Sequence, residues 1–180
     1  MTLLSRFRDL EPAAQHAYVS LMMAVIGRGL VAASQTDDET RRELAAFTPG
    51  MVIAMKVIPS GPSFALVLQP DGTLKLLPSF DGRATLAVVF KHLAHAFLVF
   101  SFQESTTRAF ANDRLYIDGD ISHSIRLVRC LNRMEALILP QAIAAKAVKR
   151  YPAIAASDKV RAGARIYGRL ALNFVNGDRP

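Results

Sequence analysis

The residues best suited by type to chemistry are Asp118 and Asp120, two apart after an apolar run, His92 and His95, three apart, with His123 further on, and the single thiol Cys130. Paired carboxylates could trade protons, and histidines at helical spacing could begin a metal site. A thiol could act as a nucleophile. Each pattern has a plainer account. Asp118-Gly119-Asp120 stands between a branched apolar stretch and an amphipathic one, where aspartates make a turn and cap the following helix. The histidine pair has no cysteine or carboxylate cluster beside it, and Cys130 lies within a helical pattern as a small packing residue. Gly27-Arg28-Gly29 lacks the third glycine and the preceding strand of a nucleotide loop, and no glycine-flanked serine marks a nucleophile elbow. The sequence therefore predicts a noncatalytic chain with no metal and no cofactor.

The elements around these residues are unusually apolar. Residues 11–33 suit a helix, weakened by Gly27 and Gly29. Thr36 followed by Glu39 has the form of a capping box, which predicts a second helix over 37–47, ended by Pro49-Gly50. The period then shortens. Stretches 51–58, 63–69, 73–77 and 83–90 are rich in branched aliphatics and separated by Ser60-Gly61-Pro62, Pro70-Asp71-Gly72 and Asp81-Gly82, as a β-meander and a further strand require. In the second of these, Phe64, Leu66 and Leu68 share one face and Ala65 and Val67 the other, so both faces need cover.

Residues 90–102 carry Phe90, Phe97, Phe100 and Phe102 among Leu93, Ala94, Ala96, Leu98 and Val99, and predict a helix apolar around most of its circumference. Such a helix is either a core element or the wall of an apolar chamber. After a polar loop, a strand over 114–117 precedes a helix over 121–137. That helix sets Leu127, Leu131, Met134 and Ile138 on one side and Arg126, Arg129 and Arg133 on another, a stripe expected to face water.

The chain has 180 residues, 51% hydrophobic, with mean hydropathy +0.22. That suits one domain with arms. The run 12–27 contains Gln15 and His16 and is short for a membrane span, and Asp9, Glu11 and Arg28 argue against a secretory signal, so a cytoplasmic protein is expected. A lone cysteine rules out an internal disulfide. Charge is segregated: of the net +7, nearly all lies in residues 141–180, where eight basic residues face two acidic ones. Over 158–174, Val160, Ala164, Tyr167, Ala171 and Phe174 recur as one apolar face with Arg161, Arg165 and Arg169 broadly opposite. This pattern suits a helix lying on an anionic bilayer, or docking on its own domain. Aromatic residues are not interleaved with the basic ones, which argues against nucleic acid.

Taken in order, the helix, meander, further strand, apolar helix, Phe110, and the segment Arg114-Leu115-Tyr116-Ile117-Asp118-Gly119-Asp120 before a last amphipathic helix resemble the sterol carrier protein, or nonspecific lipid-transfer, domain. The resemblance covers residues 36–140. It implies an α+β fold in which a mixed five-stranded sheet, with helices packed on one face, encloses an apolar tunnel for a sterol, phospholipid or acyl chain, without catalytic residues. This chain lacks tryptophan and adds a basic extension, which makes it look more like a bacterial branch of the family that assists ubiquinone biosynthesis.

The resulting expectation is an N-terminal helical arm (1–35), a lipid-binding domain (36–140) and a basic amphipathic tail (141–180). Phe90, Leu93, Phe97, Phe100, Leu127, Leu131 and Met134 are the candidate ligand-lining residues. Lys146, Lys149, Arg150, Arg161, Arg165 and Arg169 are the candidate membrane-surface residues. Expected partners are a hydrophobic small molecule and an anionic membrane surface, with a second copy or a partner protein also open. An adaptor that buries its apolar surface against a protein partner is the alternative.

Overall fold

A computed structural model describes residues 11–138 and 156–175, the last helix with side chains at 160, 163–169, 171 and 172 only. The elements run α1 (Pro12–Thr36), α2 (Asp38–Leu44), β1 (Val52–Val57), β2 (Ser63–Leu68), β3 (Leu74–Leu76), β4 (Leu86–Phe90), α3 (Leu93–Phe100), α4 (Thr106–Ala111), β5 (Leu115–Asp118), α5 (Ile121–Ile138) and α6 (Ala156–Val175). The strands form one mixed sheet in the order β3-β2-β1-β4-β5. Only β1 and β4 run parallel; the other neighbours are antiparallel.

Local chemistry explains most boundaries. Pro12 opens α1, where its missing amide is no loss. The tight β2–β3 connection at Pro70-Asp71-Gly72 is present. Asp71 Oδ1 accepts from the Thr73 amide at 2.9 Å and hydroxyl at 2.7 Å, and Gly72 takes φ 81°. The capping box at Thr36 is not. Asp37 caps α2 instead, accepting from the Thr40 amide at 2.9 Å, while the Thr36 hydroxyl donates back to the Ala32 carbonyl within α1. Asp120 Oδ1 accepts from the His123 amide at 3.1 Å, the capping role expected of it. Gly119 holds φ 134°, and a Cβ there would stand 2.7 Å from the Thr85 carbonyl oxygen, so β5 turns into α5 against backbone that only glycine accommodates.

Phe90 is not part of the apolar helix. It ends β4, whose five residues are all buried, and α3 starts at Leu93. Strand register builds both sides of the sheet. Met55, Val88 and Ile117 form one cross-strand row, and Val57, Phe90 and Leu115 the row two residues on. These face the helices. The alternate residues Ala54, Ala65, Ala87 and Val89 face the other way and are covered by Ile58, Leu77, Phe80 and Ala84, so the connections around the strands supply the second cover.

By length and composition α1 could cross a bilayer. In the fold it is a core helix, burying Val19, Met23, Ile26 and Leu30. Gly27 approaches Phe64 and Gly29 approaches Met134 closely enough that a Cβ would lie 3.1 Å and 2.5 Å away, respectively. The buried Ser34 hydroxyl donates to Val31 and accepts from the Leu74 amide, tying α1 to the edge strand β3. Helix α6 packs on α1 and α5: Ile166 is fully buried, Gly163 lies against the Leu137 carbonyl, and Arg169 Nε donates to Gln35 at 2.7 Å. Of the apolar stripe expected to meet either a bilayer or the chain's own domain, Val160, Ala164, Tyr167 and Ala171 are all exposed, although the Tyr167 hydroxyl donates to the Ile138 carbonyl of α5. Phe174 lies outside the described side chains.

Candidate functional site

The floor of the site is the sheet row Met55, Val88 and Ile117 with Phe90 and Leu115 beside it. Met22, Val25 and Ile26 of α1 form one wall. Val128, Leu131, Met134 and Ile138, spaced at three and four residues along α5, form the facing one. Val99 and Phe100 from the end of α3, then Phe102, close a third side. Phe102 sits at φ 58°, a left-handed conformation that stops α3, and the Tyr18 hydroxyl donates to the Phe100 carbonyl at 3.0 Å. Together they line most of an open cavity of about 460 Å³.

The rim is greasy as well. Phe110 of α4 and Ile121 and Ile125 of α5 border the cavity and are 56%, 73% and 51% exposed. Large apolar side chains held in water around an opening contribute nothing to the core, and they make a contact surface for something apolar outside.

Of the expected lining residues, Phe90, Phe100, Leu131 and Met134 border the cavity; Leu93, Phe97 and Leu127 do not. Phe97 packs edge-on against Tyr18 at 5.5 Å, Leu127 is buried in the core, and Leu93 packs against that core from its margin. On α5, Leu127 and Leu131 are one turn apart, but the turn at Leu127 meets the body of the fold. Sequence reasoning missed the contribution of α1, whose Met22 sits one helical turn before the buried Ile26 and Val25 directly beside it. It also missed the rim.

The arginine stripe of α5 is not free in water. Arg126 and Arg129 reach Glu43 at 3.0 and 3.3 Å, and Arg133 reaches Asp37 at 3.0 Å and Glu39 at 3.1 Å, so α2 and α5 are riveted together. Burial alone would raise the Asp37 carboxyl, but hydrogen bonds from Arg133 and Thr40 and the Arg133 charge hold it below its ordinary value. Burial pushes the Cys130 thiol to about 12, with the nearby Glu43 and Asp37 charges adding to the effect, which makes it inert as a nucleophile. His92 and His95 stack edge-on at 5.2 Å, and no cluster of metal-ligating side chains occurs among the described residues. Lys146, Lys149 and Arg150 lie outside the described residues. Arg165 and Arg169 are exposed on α6, and Arg161 belongs to the same helix.

A mixed sheet with helices closing an apolar chamber over one face defines a lipid-binding α+β domain. The sequence profile of the SCP-2 sterol transfer family matches residues 31–132, and the chain belongs to that family. Among solved structures, a UbiJ-SCP2 ubiquinone synthesis protein is 19% identical, with a TM-score of 0.42 over 69% of this chain and 97% of that one. The apo sterol carrier protein 2 of Yarrowia lipolytica is also 19% identical, with a TM-score of 0.42 over 64% and 90%. Sterol carrier protein domain 2 of Helicoverpa armigera is 16% identical, with a TM-score of 0.40 over 58% and 81%. No curated protein matches the chain.

Proposed function

We propose that this chain is a noncatalytic, cytoplasmic, peripherally membrane-associated carrier that holds a phospholipid, acyl chain or isoprenoid quinone intermediate and gives it up or presents it at an anionic membrane surface. The observation that carries this reading is the cavity. Its 460 Å³ falls within the roughly 300–1,000 Å³ typical of small-molecule sites, and its lining is predominantly apolar. Each methylene moved there from water gains about 0.8 kcal/mol, so a chain of ten gains about 8 kcal/mol before the cost of immobilising it. Phe90, Phe100, Leu131 and Met134 are then contact residues, and the binding unit includes α1. The exposed Phe110, Ile121 and Ile125 would meet the bilayer as cargo passes, and Lys146, Lys149, Arg150, Arg161, Arg165 and Arg169 would face anionic headgroups, each worth about 1 kcal/mol.

Mass spectrometry of freshly purified protein and of its organic extract tests the cargo: bound lipid is expected, whereas lipid-free protein that also fails to take up lipid from vesicles would favour an adaptor. Liposome flotation tests the surface. Deleting the tail would uncover the seat of Ile166, so the informative variant is Arg165→Glu, which touches only an exposed side chain and should reduce flotation on anionic vesicles alone.

A further inference from the structure

One carboxyl group borders the chamber without a partner. Glu135, on α5 between Met134 and Ile138, is half-buried in the cavity wall and makes no hydrogen bond or ion pair among the described residues. No neighbouring element brings a free charge to it. The α1 wall and the sheet floor present only apolar side chains to the chamber, and Arg28 of α1 does not pair with it. Glu104, between α3 and α4, is held by Arg114 Nε at 3.4 Å and by Asn112 Nδ2 at 2.9 Å. Asp37, Glu39 and Glu43 of α2 are taken by Arg126, Arg129 and Arg133 of α5, and Arg165 and Arg169 of α6 are exposed. Ser105, Thr106, Thr107, Ser124 and Asn132 complete the polar part of the lining without charge. Burial is accordingly the one cause that moves the Glu135 carboxyl, raising it to about 7.

Resting on the carrier reading, we propose that cargo and proton bind together: an apolar guest that fills the chamber makes Glu135 take up a proton, so the protein holds its cargo more tightly in acid than in base. While the cavity is empty, water reaches the carboxyl from the open side. A hydrocarbon chain replaces that water and offers no donor in return, which penalises the charged form and leaves the neutral form almost untouched. The direction of the effect follows from the position of the group, whatever its starting value. Below the value of the empty protein both states hold the proton and affinity is flat. As pH climbs past it, the empty protein releases a proton that the filled one keeps, and affinity falls until the filled protein titrates too. Each unit by which the guest raises the carboxyl is worth tenfold in affinity, and the coupling is reciprocal, so alkalinisation loosens the cargo.

The test titrates delipidated full-length protein with diphenylhexatriene, a fluorescent hydrocarbon that has no charge and no hydrogen-bonding group of its own to titrate or to pair with Glu135, at about pH 6 and about pH 9. The unaltered protein should bind it more tightly at the lower pH by at least roughly tenfold. Glu135→Gln, which keeps the shape and cannot ionise, should bind equally at both and match the tight value at high pH; Glu135→Leu should give the same flat profile by a second route. Equal affinity at the two pH values in the unaltered protein overturns the coupling while leaving the carrier reading intact. A pH dependence that survives in both variants overturns the assignment to Glu135. If the hydrocarbon binds none of the three proteins at either pH, the carrier reading falls and takes this inference with it.

Discussion

Val88→Phe separates a chamber from a solid core. Val88 is 4% exposed, occupies the centre of the floor between Met55 and Ile117, and faces the cavity. In a close-packed interior such an enlargement forces neighbours apart and costs about 1–3 kcal/mol. Here the ring extends into cavity space, so its own burial offsets most of any adjustment, and stability should change by less than about 1 kcal/mol. Binding should suffer instead. The substitution adds about four carbons, each displacing about one methylene of cargo worth about 0.8 kcal/mol, for a loss of about 3 kcal/mol or somewhat over 100-fold in affinity. Urea denaturation gives the first quantity and titration with 1-dodecanol the second. Leu127→Phe, in the packed part of α5, is the contrast and should lose the stability that Val88→Phe retains. The reasoning fails if Val88→Phe unfolds as readily as Leu127→Phe while its surviving protein binds dodecanol with unchanged affinity.

Glu135 should tilt the stability–pH curve. Its folded value of about 7 exceeds the ordinary 4.5, so the folded chain holds a proton that the unfolded chain has already lost; stability falls as pH rises from about 4.5 to 7, by up to about 3 kcal/mol, and Glu135→Gln should flatten that slope in denaturant melts. Asp37 has the opposite sign: its lowered carboxyl stabilises above about pH 4, and that stabilisation drains away as pH drops further, an acid limb that Asp37→Asn should remove while costing about 1–3 kcal/mol at pH 7, since Arg133 keeps Glu39 as a partner. Gly119→Ala sets a methyl against the Thr85 carbonyl at an unfavourable φ, and a loss of at least about 2 kcal/mol should appear in thermal melts. Ile166→Ala should cost about 2–4 kcal/mol if α6 is an integral part of the fold, and less than about 0.5 kcal/mol if it is a loosely held tail.

The succession of strands along the chain, the β2–β3 turn and the α5 pattern were legible because each depends on neighbouring residues: a Pro-Asp-Gly turn or a three-and-four spacing acts over a few positions. Phe90 was counted in both the strand 83–90 and the helix 90–102 because a fully buried strand next to an apolar helix shows no change of period where one yields to the other. The docking face of the tail was not legible for a different reason. Its most regular stripe, through Val160, Ala164 and Tyr167, faces outward, while the contact is set by what fits the groove between α1 and α5: a glycine at 163, where the Leu137 carbonyl comes close, and one isoleucine at 166. Alphabet was the limit at the cavity. Leu127 and Leu131 are chemically the same, and only the three-dimensional path of α5 decides which meets the core and which the chamber. Glu135 carried a signal that was passed over: an acidic residue between Met134 and Ile138 breaks an apolar face.

Helix α6 seats on α1, so the last described element closes over the first. On the ribosome, where synthesis advances at about 5–20 residues per second, the part of α1 that α6 covers waits roughly seven to twenty-eight seconds after its own emergence before that cover arrives. Through that interval the nascent polypeptide keeps one side of a 25-residue apolar helix open even after the sheet and α5 have covered the other.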